Sequence, residues 1–182
     1  IYDYAFQDCT GLTDMVIPDG VVNIYDYVFS GCTSLKNIDI PDSVLYFGLS
    51  VFDNTIWYEN QPEGMVYAGK VAYGYKGTCP QVITFKNDTL GIAGYAFQNC
   101  TNITSVTIPG SIVSIGNHTF DGCTKLREVW CESETPASIQ TTSFANISSD
   151  AVLYVPTIEA VAAYEASTWN NYFSEIKIGK KE

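Results

Sequence analysis

The sequence predicts a solenoid: short β-coils stacked one on another and closed by a helical cap. Three observations carry that prediction. Residues 1–23 return as residues 24–46 with twelve identical positions at an offset of 23, and a fixed period of this length marks a stacked-repeat architecture. Within each unit the pattern L-x-x-[MIV]-x-I-P ends in alternating apolar residues, the period-two mark of a strand. Near residue 157 the period changes from that of a strand to that of a helix.

The first repeat runs from Ile1 to Asn23 and the second from Ile24 to Tyr46. Each opens with I-x-x-x-x-F-x-x-C-T, a turn-like half. A strand half follows: Leu12, Met15 and Ile17 in one repeat, Leu35, Ile38 and Ile40 in the next. Pro18 and Pro41 stop these strands because proline offers no N–H to a further ladder bond. Asp19-Gly20 and Asp42-Ser43 supply turn chemistry. A third, enlarged repeat spans residues 47–91. Two alternating aromatic runs within it, Met65–Tyr67 and Val71–Tyr75, flank Ala68-Gly69-Lys70 and predict an inserted β-hairpin. Regular repeats resume at residues 92–114 and 115–138, and a worn one occupies 139–156. Thr157 then stands where an N-cap is expected. Ile158, Val161, Ala162 and Tyr164 follow at helical spacing, with Trp169, Tyr172, Phe173, Ile176 and Ile178 as a large apolar payload. An end coil leaves its core open, so residues 157–182 are expected to cap the solenoid of residues 1–156.

A coil of 23 residues cannot bury its apolar side alone, and stacking supplies the burial. One continuous core is expected, with Phe6, Phe29, Phe52, Phe97, Phe120 and Phe144 in a single column. Cys9, Cys32, Cys100 and Cys123 share one repeat position. They are expected to stack as free, buried, small hydrophobes. With no C-x-x-C pair, a zinc site is not expected.

The motif I-x-x-x-x-F-x-x-C-T-x-L-x-x-V-x-I-P resembles the BspA-like leucine-rich repeat family of bacterial surface proteins. The resemblance covers Ile1 to about Pro156, and Tyr154-Val155-Pro156, Tyr164, Trp169 and Phe173 are similar to that family's terminal coil and cap. It implies a right-handed leucine-rich-repeat solenoid, mostly β with short turns, whose parallel sheet lines the concave side. It also implies an exported or cell-surface bacterial protein, and some members bind host extracellular proteins. The hairpin, Lys86 in place of proline and Cys131 in place of isoleucine depart from the pattern. The family has no shared catalytic residue to carry over.

The chain has 9 Lys and Arg against 20 Asp and Glu, a formal net charge of -11. No broad cationic surface is left for nucleic acid or for anionic membranes. No apolar run approaches ~20 residues, so no membrane insertion is expected. Residue 1 already lies inside a repeat and no export leader is visible, so the chain is expected to be a piece of a longer protein. There is no G-x-S-x-G elbow, no phosphate-binding glycine loop and no calcium loop. Glu132 with Glu134, and the single histidine His118, read as solvated surface residues. Neither an enzyme nor a cofactor is expected.

What remains is recognition of an extracellular protein or glycan, or a spacer with no ligand of its own. Strand residues alternate sides, so the outward positions of each repeat should line the open face: Asp14, Asn37, Asp39, Ser105, Thr107, Glu128 and Trp130. Trp130 is the sharpest of these, a large aromatic where other repeats carry Thr, Asp or Val; packing on the C-terminal region is its alternative. Tyr67, Tyr73 and Tyr75 of the hairpin form a second candidate patch, with structural packing as the alternative.

Overall fold

The computed structural model describes residues 1–181. Each of the first five coils contributes one longer and one two-residue strand to the stack. In chain order the longer strands are β1 (Asp14–Val16), β3 (Asn37–Asp39), β7 (Val82–Thr84), β9 (Ser105–Ile108), β11 (Glu128–Cys131), β13 (Val152–Val155) and β14 (Glu175–Ile178). The short strands are β2 (Asn23–Ile24), β4 (Tyr46–Phe47), β8 (Gly91–Ile92), β10 (Ser114–Ile115) and β12 (Ser138–Ile139). The hairpin is β5 (Gly64–Ala68) and β6 (Val71–Lys76), antiparallel, and two helices are α1 (Ile56–Glu59) and α2 (Ile158–Glu165). The longer strands pair in parallel and in register: Asp14 lies opposite Asn37, and Ser105 opposite Glu128 and Val82. Apolar residues therefore fall on the same side in every coil.

The turn half of each coil is held by a second ladder. Tyr4, Tyr27, Ser50, Tyr95 and His118 adopt φ of 52–62°, and four residues later Asp8, Asn54 and Asn99 do the same. Gly31 and Gly122 occupy that later position with φ of 75° and 76°. Asn, Asp and Gly tolerate this left-handed region, whereas a bulky residue needs outside support. The support comes from the next coil. The N–H groups of Tyr4, Phe6 and Asp8 donate to the carbonyls of Asp26, Val28 and Ser30 at 2.9 Å each. Tyr95, Phe97 and Asn99 repeat the pattern with Asn117, Thr119 and Asp121 as acceptors.

The expected single core and single sheet are both interrupted at the hairpin. The long strands form a two-stranded sheet (β1-β3) and a separate five-stranded one (β14-β13-β11-β9-β7). The interior divides into an N-terminal cluster around Phe29, Phe47 and Phe52 and a C-terminal cluster around Phe97, Phe120 and Phe144; Ala96 packs against both. Phenylalanine rings stack within each half, Phe6–Phe29–Phe52 at 5.4 and 5.8 Å and Phe97–Phe120–Phe144 at 5.2 and 5.1 Å. Between Phe52 and Phe97 the column is broken by Tyr73, which meets Phe52 edge-on at 5.2 Å. In Phe6, Phe29, Phe97 and Phe120 the N–H donates to a backbone carbonyl of the next coil, as Phe29 does to Val51. At Phe52 that acceptor is the Tyr73 hydroxyl, 3.1 Å away. A side chain of the hairpin thus stands where a coil's backbone would be.

The aligned cysteines do not form the expected column of free thiols. Cys32 and Cys123 are buried, and each thiol donates to a carbonyl of an earlier coil, Phe6 at 3.0 Å and Phe97 at 3.2 Å. Cys9 is exposed. Cys100 is joined to Cys79 in a disulfide. The coil before Cys100 is the enlarged one, and its connector from β6 to β7 brings Cys79 alongside. Cys131, the replacement for isoleucine, is 4% exposed in the C-terminal cluster.

Thr157 caps α2 as expected, its hydroxyl accepting from the Ala160 N–H at 3.1 Å. Tyr164, Trp169 and Phe173 close over the end of the core, with Trp169 at 5.2 Å and Phe173 at 5.4 Å from Phe144. The last segment is not all helix. Residues 175–178 form β14, which pairs in parallel with β13 and extends the sheet by one strand.

Candidate functional site

The outward residues fall on two surfaces rather than one. Asp14, Asn37 and Asp39 are exposed on the two-stranded sheet, where the Asn37 amide donates to Asp14 at 2.7 Å. That bond is the main cause holding the Asp14 carboxyl below its ordinary pKa. Val16 extends this surface and is 70% exposed. Ser105, Thr107, Glu128 and Trp130 belong to the five-stranded sheet. There the register builds two rows across the strands: Val82, Ser105, Glu128, Val152 and Glu175, and beside it Thr84, Thr107, Trp130, Tyr154 and Lys177.

The second row holds the distinctive chemistry. The Trp130 ring stacks on Tyr154 with centroids 3.9 Å apart and planes within 9°. The Trp130 indole N–H donates to the Glu128 carboxylate at 3.2 Å. On its other side Trp130 faces the small Thr107, whose hydroxyl is buried without a hydrogen-bond partner among the described residues. Thr107 and Trp130 line a pocket of about 280 Å³ together with Glu132, Lys180 and Lys181. Sequence reasoning singled out Trp130 but missed Tyr154, although Leu153-Tyr154-Val155 shares the register of Val129-Trp130-Cys131.

The chain's own tail lies across this row. A methyl group on Gly179 would come within 2.8 Å of a Tyr154 ring carbon and 3.2 Å of Trp130, so only glycine passes there without displacement. The Lys181 ammonium donates to the Ser105 hydroxyl at 3.1 Å. Ser105 is accordingly 6% exposed and not the open surface residue its register predicts. Trp130 is half-buried, packed on Tyr154 and the tail.

The hairpin tyrosines do not form a common patch. Tyr73 is buried in the N-terminal cluster, among Phe47, Phe52, Trp57 and Tyr58. Tyr67 and Tyr75 are half-buried against the C-terminal cluster. The Tyr67 hydroxyl accepts the Lys86 N–H at 3.0 Å, and the Lys86 ammonium sits 4.3 Å from the ring centroid. Lys86 therefore uses the backbone N–H that a proline would lack. A further lysine is spent internally: Lys76 donates to the carbonyls of Glu59 and Gln61 at 2.6 and 2.7 Å, neutralising the C-terminal end of α1.

His118 is not freely solvated. Its Nδ1 lies 2.9 Å from Asp121 and its ring stacks on Tyr95 at 4.9 Å. Glu132 and Glu134 are exposed. Among the described residues no cluster of three or more His, Cys, Asp or Glu side chains is placed to hold a metal ion. No helix among them is long and apolar enough to cross a membrane.

Parallel coils in strict register, a turn ladder and a strand face with an aromatic pair define a β-solenoid repeat protein. A model of the BspA type leucine-rich repeat region matches in six copies over residues 1–67 and 69–175, and the chain belongs to that family. No curated protein matches it. Among solved structures, a leucine-rich repeat protein of T. pallidum is similar at 18% identity and a TM-score of 0.37, covering 97% of this chain and 61% of that one. A leucine-rich cell surface protein of Faecalibacterium prausnitzii is 19% identical with a TM-score of 0.39, over 98% and 62% of the two chains. A leucine-rich repeat protein of Bacteroides ovatus is 17% identical with a TM-score of 0.35, over 95% and 56%. The chain thus spans less than two thirds of each of these proteins.

Proposed function

We propose that this chain is a non-catalytic interaction module of a secreted or cell-surface bacterial protein. It engages an extracellular protein or glycan through the outer face of the five-stranded sheet, around Trp130. The observation that carries this reading is the stacked Trp130–Tyr154 pair on a strand face rather than in the core. Aromatic side chains in such positions are enriched among binding hot spots. Thr107 and Glu128 flank the pair and offer polar contacts.

Surface plasmon resonance against soluble extracellular matrix proteins and glycans tests it. At least one should bind, and Trp130→Ala should weaken it by about tenfold or more, as loss of a hot spot does. Unchanged affinity in that variant overturns the assignment. The tail across the row favours a second reading, a spacer that carries other domains; failure of every probe supports that reading instead.

A further inference from the structure

The hairpin has a consequence on the face built by the short strands. At the enlarged coil the regular backbone ladder is broken, and the Gly94 N–H donates directly to the Phe47 carbonyl of β4 at 2.8 Å. Tyr46 is thereby brought over later coils. A methyl group on Gly94 would lie 3.4 Å from the Tyr46 hydroxyl and 3.2 Å from the Asn117 carbonyl. Gly91, which pairs with Ser114, lies tight against the Leu45 carbonyl, where a methyl group would collide. Beside these close approaches lies a cleft of about 410 Å³. Asn23, Tyr25 and Tyr46 wall one side; Ser114, Asn117, Ser138 and Gln140 wall the other.

The composition of this cleft is unlike that of the chain. Although the protein carries 20 Asp and Glu, every lining residue is uncharged. Burial is the main cause that pushes the Tyr46 phenol up to about 12, with Asp26 adding to it, so the phenol stays a neutral donor and acceptor. Three amides, two serine hydroxyls and two phenols each offer both donor and acceptor capacity, or one of each on adjacent atoms. Aliphatic side chains are lacking among the lining residues, and none of those residues carries a charge to match an ionic ligand. The volume lies in the ordinary range of small-ligand sites.

The geometry points to this cleft as a binding site for an uncharged oligosaccharide, whose hydroxyls also donate and accept at once. The site is separate from the sheet face around Trp130 and stands without it.

Isothermal titration of the full chain with uncharged glucose, mannose, galactose and N-acetylglucosamine oligosaccharides tests the proposal, with sialylated and uronate-containing oligosaccharides as the anionic arm. At least one uncharged class should bind. Tyr46→Phe and Gln140→Ala should each weaken it by about three- to tenfold, the effect of one hydrogen bond. Lys125→Ala, at an exposed position outside the cleft, should leave it unchanged. Both cleft variants alter groups outside the core, and far-UV circular dichroism checks that they fold. Binding of no uncharged saccharide, binding of the anionic arm alone, or affinity unmoved by both cleft variants overturns the assignment.

Discussion

Replacing Tyr73 by phenylalanine removes one oxygen atom and leaves the ring that packs between Phe47, Phe52 and Trp57. That oxygen accepts the Phe52 N–H at 3.1 Å in a region where both residues are buried. Without it the amide has no acceptor from the hairpin, and an unsatisfied buried donor costs about 1–3 kcal/mol. With a urea m value of about 2 kcal/mol/M for a protein of this size, the midpoint of unfolding should fall by about 1 M. Hydrogen exchange of the Phe52 amide should quicken beyond the change expected from the lost stability alone. Tyr75→Phe is the control: its hydroxyl is on a half-buried ring, and the change should stay within about 0.5 kcal/mol. If Tyr73→Phe unfolds at the wild-type urea concentration with the Phe52 amide equally protected, the hairpin does not replace a coil in the way described.

Phe97→Ala, within the stack and fully buried against Phe120 and Phe85, should cost about 3–5 kcal/mol. Phe6→Ala, half-buried in the first coil with Phe29 as its ring partner, should cost less than half as much in the same urea titration; equal losses would contradict the stacked columns. The Cys79→Ser/Cys100→Ser double variant opens a loop of sequence separation 21 and should lose about 3 kcal/mol by the chain-entropy estimate. An unchanged midpoint would show that the bridge does not hold the hairpin connector. The Asp121 carboxyl is held below its ordinary pKa chiefly by the Asn146 amide, with His118 and Gln98 assisting. A depressed carboxylate contributes stability above its unfolded pKa that is lost as pH falls through the folded one. Urea midpoints measured between neutral and acid pH should therefore fall less steeply in Asp121→Asn, and parallel curves would refute the linkage.

The repeat made the regular coils readable residue by residue, because register alone decides which side chains face inward. Ile83 and Phe85 are buried as their alignment with Met15 and Ile17 requires, and Thr157 caps its helix. What escaped were contacts that cross the period. Nothing local to Tyr73 says that its hydroxyl serves a backbone amide 21 residues earlier. Cys79 lies outside the repeat, so its pairing with Cys100 leaves no trace in the alignment of the four equivalent cysteines. Ile176 and Ile178 do alternate, but next to a helical segment two alternating residues do not distinguish a strand from the cap's apolar payload. In the candidate site, Trp130 was visible as an oddity within its column. Its partner Tyr154 was hidden in the worn repeat, and the tail that crosses them both comes from about 50 residues further along.

That crossing turns any encounter at Trp130 into a displacement. Gly179 to Lys181 already rest where a visiting segment would lie, so a newcomer engages only the fraction of molecules in which the tail has lifted away. Apparent affinity then equals the intrinsic value scaled by that fraction. Whatever holds the tail elsewhere, such as a neighbouring domain tugging on it, would act as a dimmer on recognition without touching the binding residues themselves.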